Sequence, residues 1–296
     1  MDVRAAPRES STLRSSMDRP RANPSRAPSL LPREHGAYGQ LFAPLGAALL
    51  GGRPTLSGAC FAASAACAFF AHEPWLVLSG HRGTRTERML GSRAKSRLVI
   101  LLVTTLTLGI AGMLLANRTT QIAALSASVL ALVAAVTSQK GSLHNAFGEI
   151  WAGTVLATLG VPVSVACGMP FRLALENAFA WALAFAAGVL AVRALIQRKK
   201  TGFRGSGVWG ILVIVLLLVA ESCLALGPVL AVLPLALSAV TLFAVAPSPK
   251  ALRRVGWTLV GFTVVAGVMM ALNARAVSGL TGPAVNFPGT LAALLS

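Results

Sequence analysis

Residues 98–116 read LVILLVTTLTLGIAGMLLA, nineteen positions without one charged side chain. At about 1.5 Å per residue, a helix of this length covers most of the roughly 30 Å of hydrocarbon in a bilayer. Backbone groups in lipid must be paired within the segment, and the run is too long and too uniformly apolar for a barrel strand. This stretch therefore predicts a transmembrane helix and an all-α membrane fold.

The rest of the chain repeats this pattern. Apolar residues make up 55% of the 296 positions and charged residues only 12%, with a mean hydropathy of +0.72. Soluble domains usually carry about twice that share of charge. We predict a polytopic transmembrane helical bundle of about nine spans. Hydropathy places them near residues 36–52, 55–73, 98–116, 120–138, 148–168, 173–192, 208–226, 228–246 and 255–273.

The positive charge is distributed unevenly between the two sides. If the nine spans cross alternately, 22 of the 26 lysines and arginines fall on one side, and only Arg53, Arg118, Arg172 and Arg275 fall on the other. Cytoplasmic loops carry such an excess, so we expect the N-terminus in the cytoplasm. The net charge of +17 could also suggest nucleic-acid binding. Its confinement to short loops with few aromatic neighbours instead favours membrane lipids as partners and no nucleic acid.

The chain is expected to form one membrane domain between two tails. Residues 1–33 are rich in Arg, Ser and Pro, cannot bury a core, and are predicted to be a disordered basic cytoplasmic tail. Residues 34–273 form the transmembrane helical domain, and residues 274–296 a short non-cytoplasmic C-terminal tail. Met17 offers an alternative translation start to Met1.

Histidines and glutamates gather at the predicted cytoplasmic ends of the spans. The groups are Glu34-His35, His72-Glu73, and His144 with Glu149. Because alternate helix ends meet at one boundary, we consider His35, His72, Glu73 and Glu149 candidate catalytic residues of one site, with a His or Glu as general base. The alternative is that each group only marks the membrane–water interface.

Two further expectations concern the glutamates. Pro74 disfavours helix at the residue before it, so a break is predicted at Glu73, with residues 75–78 either along the interface or folded back. Glu149 lies one turn inside an apolar run and is expected to pair with a basic or histidine side chain, because ionisable groups there need partners.

Two basic loops, after the second and sixth spans, add guanidinium groups. Arg82, Arg85 and Arg193 are candidate ligands of a phosphate or carboxylate, which arginine forks suit; the alternative is topological charge with lipid headgroup contact. A metal site and a cofactor stay undetermined, since no recognised metal spacing appears and no aspartate follows Asp18. Enzymes that hold a diphosphate through Mg²⁺ usually need several such carboxylates.

Two motifs carry a family resemblance. Residues 32–38, PREHGAY, and residues 72–83, which begin HEP and end GHRG, resemble the YwiC-like family of bacterial integral membrane proteins. The resemblance in layout extends over residues 32–273 and implies a multi-pass protein of the bacterial inner membrane without an established role. The nine-span layout, with functional loops after spans two and six, is also similar to the UbiA-type prenyltransferases. Both Asp-rich motifs of that family are missing.

Three functions stay open at this point. The first is a cytoplasm-facing polar pocket that handles a lipid-like or phosphate-bearing molecule, lined by the histidines and glutamates with the three arginines on the anionic group. The second is a transporter of a small solute or proton, with Glu149 and Glu221 as relay groups. The third is a non-catalytic membrane scaffold. The first two predict different geometry, a site at the membrane boundary or a path between the two glutamates.

Overall fold

The computed structural model describes residues 30–31, 35–139, 145–201, 205–222, 226–245 and 252–279. These residues form an all-α bundle of ten helices: α1 His35–Gly51, α2 Leu56–Leu78, α3 Thr84–Leu114, α4 Arg118–Gln139, α5 Ala146–Thr158, α6 Gly160–Ala166, α7 Phe171–Thr201, α8 Gly205–Ser222, α9 Leu226–Val245 and α10 Leu252–Val277. The predicted all-α helical bundle is confirmed.

Six stretches of the described chain are long and apolar enough to cross a membrane. They are Leu56–Leu78, Thr84–Leu114, Arg118–Thr137, Ala146–Ala166, Phe171–Ala194 and Gly256–Val277. The outer face of α3 is apolar and suited to contact with lipid, since Val103, Leu106 and Leu114 are 58%, 63% and 81% exposed. A continuous apolar surface of this kind is rare on soluble monomers.

The predicted fifth span is one crossing built from two helices. Helix α5 ends at Thr158, and α6 begins at Gly160. Pro162 lies four residues after Thr158, has no N–H to donate to that carbonyl, and crowds it with its ring. The interruption at Leu159 therefore has a local cause.

Helix α7 lies at the centre of the main apolar core. Trp181 is 2% exposed and stacks on Phe185 with ring centroids 5.2 Å apart. Their cluster includes buried residues of α8, α9 and α10, among them Leu218, Val232 and Met270.

Two hydrogen bonds at or near helix ends fix the directions of the helices that they join. The Ser57 hydroxyl, at the start of α2, donates to the Gly112 carbonyl at the end of α3 over 2.9 Å, so the two helices are antiparallel. The Arg53 N–H donates to the Cys167 carbonyl over 2.8 Å, which places the start of α2 beside the end of α6.

The bundle therefore has two ends of different charge. We call the end where α2 and α7 finish and α3 and α5 begin the basic end, and the other the opposite end. The basic end carries Arg82 of the turn after α2, Arg193 of α7, and a basic segment of α3 made of Arg85, Arg88, Arg93, Lys95 and Arg97. Arg53, Arg118, Arg172 and Arg275 lie at the opposite end.

The loop predicted after the second span is mostly helix. Only residues 79–83 turn, and α3 begins at Thr84, so its 31 residues reach well beyond the bilayer. Helix α7 likewise continues to Thr201 through the second predicted basic loop. A charged helical extension and a charged loop look the same to a hydropathy profile, which is why both helices were predicted too short.

The predicted break at Glu73 is wrong, because α2 continues through Pro74 to Leu78. An interior proline costs a helix about 3 kcal/mol. Val77, one turn further on, is 2% exposed and packs against Leu90 and Ala94 of α3. Burying this last turn against α3 offsets the cost.

Part of the predicted disordered tail lies within the described residues. Leu30 is partly buried and packs against the same apolar cluster of α2 and α3. Residues 1–29 and 32–34 lie outside the described residues.

Candidate functional site

A buried ion pair joins Glu73 of α2 to Arg82 of the following turn. The Arg82 Nη2 atom donates to Oε2 of Glu73 over 2.6 Å. The Glu73 side chain is 2% exposed and that of Arg82 is 30% exposed. A carboxylate this deeply buried needs an opposite charge, since an unpaired one would be strongly disfavoured.

The turn after α2 brings Arg82 back over the helix. Gly80 and Gly83 have φ values of +76° and +87°, a backbone region that glycine enters without steric cost. The Gly83 N–H donates to the Gly80 carbonyl over 2.9 Å, which closes the turn before α3 begins. This tight reversal places the Arg82 guanidinium beside the last turns of α2.

The Glu73–Arg82 pair leaves part of its hydrogen-bonding capacity unused. Glu73 Oε1 and Arg82 Nε are both buried and have no hydrogen-bond partner in the described part of the chain. A carboxylate oxygen accepts and a guanidinium N–H donates, so the pair offers one of each to a third group. Buried polar atoms without partners are uncommon in folded proteins and require an explanation.

Four aromatic rings pack between α1 and α2, about one helical turn before Glu73. The Tyr38 ring lies 5.5 Å from Phe69, 6.1 Å from Phe70 and 6.4 Å from Phe42, measured between centroids. We call these four residues the aromatic cluster. Phe69 precedes Glu73 by one helical turn and shares its face. Phe42 is 41% exposed, so the cluster reaches the outer surface of the bundle.

A second ion pair at the basic end links α5 to α7. Arg193 Nε and Nη2 donate to Oε2 and Oε1 of Glu149 over 2.8 Å and 2.7 Å. The sequence predicted a basic or histidine partner for Glu149, and the partner is Arg193. The side chains are 46% and 25% exposed, so the fork is a surface link. Asn145 caps α5 by accepting from the Gly148 N–H over 2.7 Å, which starts the helix one turn before Glu149.

The predicted site residues thus form two pairs at one end of the bundle. Glu73 with Arg82 and Glu149 with Arg193 are in contact, and no described contact joins one pair to the other. His72 is half-buried on α2, and Arg85 is exposed in the first turn of α3. His35 is the first residue of α1, and its side chain lies outside the described residues, as do Glu34 and His144.

Sequence reasoning missed the aromatic cluster. Two signals could have revealed it, because Tyr38 ends the first motif and Phe69-Phe70 precedes His72-Glu73 with only Ala71 between them. Over the described residues, no three His, Cys, Asp or Glu side chains lie close enough to hold a metal ion.

The two glutamates of the transport hypothesis lie far apart. Glu149 is in the first turn of α5 at the basic end, whereas Glu221 is the penultimate residue of α8 and lies near Glu176 and Arg172 at the opposite end. Both oxygens of Glu149 are bonded to Arg193.

Fold and site together define a multi-pass helical membrane protein with a charged pair buried at one end of the bundle. Residues 31–165 match the family model described as YwiC-like protein. The chain thus carries a YwiC-like region that spans α1 to α6, and the resemblance predicted from its motifs is confirmed there. The region includes Tyr38, Glu73, Arg82 and Glu149, whereas Arg193 lies outside it. No curated protein and no solved structure shows significant similarity to the chain.

Proposed function

We propose that this YwiC-like membrane protein binds a phosphate-bearing, lipid-like molecule in a polar pocket at the basic end. The Glu73–Arg82 pair is the observation that carries the proposal, because it presents a buried acceptor and a buried donor without described partners at the basic end. An amphipathic molecule has the two parts that such a boundary separates, a polar head and an apolar chain.

The guanidinium groups would bind the anionic head. One N–H of Arg82 is used by Glu73, which leaves the others for phosphate oxygens, and Arg85 is exposed one turn away on α3. Arginine binds phosphate through two parallel hydrogen bonds, stronger than bonds between neutral groups. Oε1 of Glu73 would accept from a hydroxyl or ammonium group of the same head.

The aromatic cluster would hold the apolar chain. Tyr38, Phe69 and Phe70 pack together about one helical turn from Glu73, and the partly exposed Phe42 would connect them to the lipid. Such a pocket would admit its ligand sideways from the membrane. Burial of apolar surface would contribute about 25 cal/mol per Å² to binding.

The other predicted site residues complete the proposal. His72 neighbours Glu73 on α2, and either could act as general base if the bound molecule reacts. His35 begins α1, the helix that carries Tyr38. The Glu149–Arg193 fork would hold α5 against α7 beside the pocket. A single buried carboxylate at this place favours neutralisation of the phosphate by arginine, in contrast to the UbiA-type arrangement of several aspartates.

The basic end is proposed to face the cytoplasm of a bacterial inner membrane. The uneven distribution of lysine and arginine supports this orientation, because cytoplasmic ends of spans carry the excess of positive charge. Anionic lipids of that leaflet would then concentrate near Arg82 and Arg85.

A comparison of membrane lipids tests the proposal. Untargeted lipid profiles would be recorded for a deletion strain complemented with the wild type, with Glu73→Gln, or with the matched control Glu87→Gln. We expect a phosphate-bearing species that changes on deletion to be restored by the wild type and by Glu87→Gln but not by Glu73→Gln. Identical profiles in all strains would contradict a role in lipid chemistry.

Transport remains the second candidate, and one observation favours it. Glu221 is 5% exposed and neither of its oxygens has a described partner, as a relay group would require. Transport predicts that Glu221→Gln abolishes solute or proton uptake into vesicles. Unchanged uptake would contradict transport through Glu221. The remaining candidate functions would then be the pocket at the basic end and a scaffold without chemistry.

A further inference from the structure

A second polar feature lies at the opposite end, far from the pair at Glu73. Glu221, near the end of α8, is 5% exposed, and both of its carboxylate oxygens are buried without a partner among the described residues. Leaving a carboxylate in this state costs free energy, whether it is ionised or protonated. A donor that binds both oxygens would remove the cost.

Glu221 lines an open cleft of about 410 Å³ between α7 and α8. The volume is within the usual range of small-molecule sites. Leu175, Phe179 and Leu217 form apolar walls and are 46%, 49% and 41% exposed, so the cleft opens to the surroundings.

Among the ionisable groups around the cleft, one carboxyl group has no described partner. Arg172 Nε donates to Oε1 of Glu176 over 2.8 Å, one turn apart on α7, so these two side chains neutralise each other. Glu221 is the remaining charged group of the lining. The cleft as a whole therefore matches a ligand with a single positive charge.

We propose that this cleft binds a primary ammonium compound with an apolar body. The ammonium group has three N–H donors, enough to bind both oxygens of Glu221, whereas a quaternary ammonium has none. The apolar body would lie against Leu175, Phe179 and Leu217. The ligand could be a free amphipathic amine or the amine headgroup of a lipid. The proposal is independent of the pocket at Glu73, which lies at the other end.

Fluorescence of dansylcadaverine, a primary amine with an aromatic body, tests the proposal. The full chain would be placed in phosphatidylcholine nanodiscs and titrated with the probe, and with a dansyl butylamide that lacks the ammonium group. We expect saturable binding of the amine only. Loss of a charge-assisted hydrogen bond should weaken binding at least about tenfold in Glu221→Gln. The matched control Glu87→Gln, at the basic end, should bind like the wild type.

A second variant distinguishes loss of binding from loss of folding. Leu217→Trp leaves Glu221 intact and fills the cleft from a partly exposed position, so binding should weaken while the protein stays monodisperse. Replacement of half the phosphatidylcholine by phosphatidylethanolamine then distinguishes a lipid amine headgroup from a free amine as the ligand. Competition with the probe assigns the cleft to a lipid amine, and no competition assigns it to a free amine. Equal affinities of wild type, Glu221→Gln and Leu217→Trp, or no binding to the wild type, would overturn the proposal.

Discussion

Arg82 Nη2 lies 2.6 Å from Oε2 of Glu73, and the two side chains differ sharply in environment. The carboxylate is 2% exposed, while the guanidinium, at 30%, still reaches the surface. Oε1 of Glu73 and Nε of Arg82 are left without described partners. The pair therefore links the buried end of α2 to the surface of the basic end, and the proposed headgroup site depends on this link.

Removing one member of this pair should be far more costly than removing both. Arg82→Gln leaves the buried charge of Glu73 uncompensated and should lower the free energy of unfolding by about 3 kcal/mol. The double variant Glu73→Gln/Arg82→Gln buries no charge and should recover most of the loss. Denaturant unfolding in mild detergent measures both. Equal losses in the single and double variants would argue against a buried pair.

The Glu149–Arg193 fork should behave differently because it is exposed. Arg193→Gln should cost about 1 kcal/mol or less, and the loss should shrink further at high salt. The same unfolding measurement at low and high ionic strength checks this. A salt-independent loss as large as that of Arg82→Gln would mean that the fork is desolvated.

Close packing at the opposite end should make Gly52 intolerant of a side chain. A Cβ atom there would lie 2.5 Å from the Cys167 carbonyl oxygen and 2.6 Å from its Cβ. Gly52→Ala should therefore lower stability by about 1–3 kcal/mol through overpacking. Gly46→Ala is the matched control, since nothing lies within 4 Å of the position its Cβ would take. Thermal melting in detergent should separate the two variants.

The proposed orientation can be tested by chemical labelling. In a cysteine-free background, Arg118→Cys should react with a membrane-impermeant maleimide in intact cells, because α4 begins at the opposite end. Arg85→Cys, exposed at the basic end, should react only after the membrane is opened. The reverse pattern would place the N-terminus outside and contradict the cytoplasmic pocket.

The sequence was sufficient to predict a bundle of membrane-spanning helices but not the lengths of those helices. Long apolar runs identify crossings because lipid forces backbone pairing within each segment. They do not show that α3 starts at Thr84 or that α7 continues to Thr201. Beyond the bilayer, hydropathy does not distinguish a charged helix from a charged loop. The passage of α2 through Pro74 depended on packing against Leu90 and Ala94, which no local preference predicts.

The candidate site was predictable in its residue types but not in its pairings. The sequence placed Glu73, Arg82, Glu149 and Arg193 on one side and predicted a basic or histidine partner for Glu149 without identifying Arg193. It could not pair Glu73 with Arg82, because that contact depends on the turn at Gly80 and Gly83. Nor could it assemble the aromatic cluster, which joins residues of α1 and α2.

Native mass spectrometry of the purified protein tests the central claim most directly. We expect the wild type to retain a phosphate-bearing lipid adduct, and Arg118→Gln, at the opposite end, to retain it equally. The double variant Glu73→Gln/Arg82→Gln, which leaves no uncompensated charge, should lose the adduct while remaining folded. An adduct that is equally abundant in all three proteins, or absent from the wild type, would contradict a headgroup site at the Glu73–Arg82 pair.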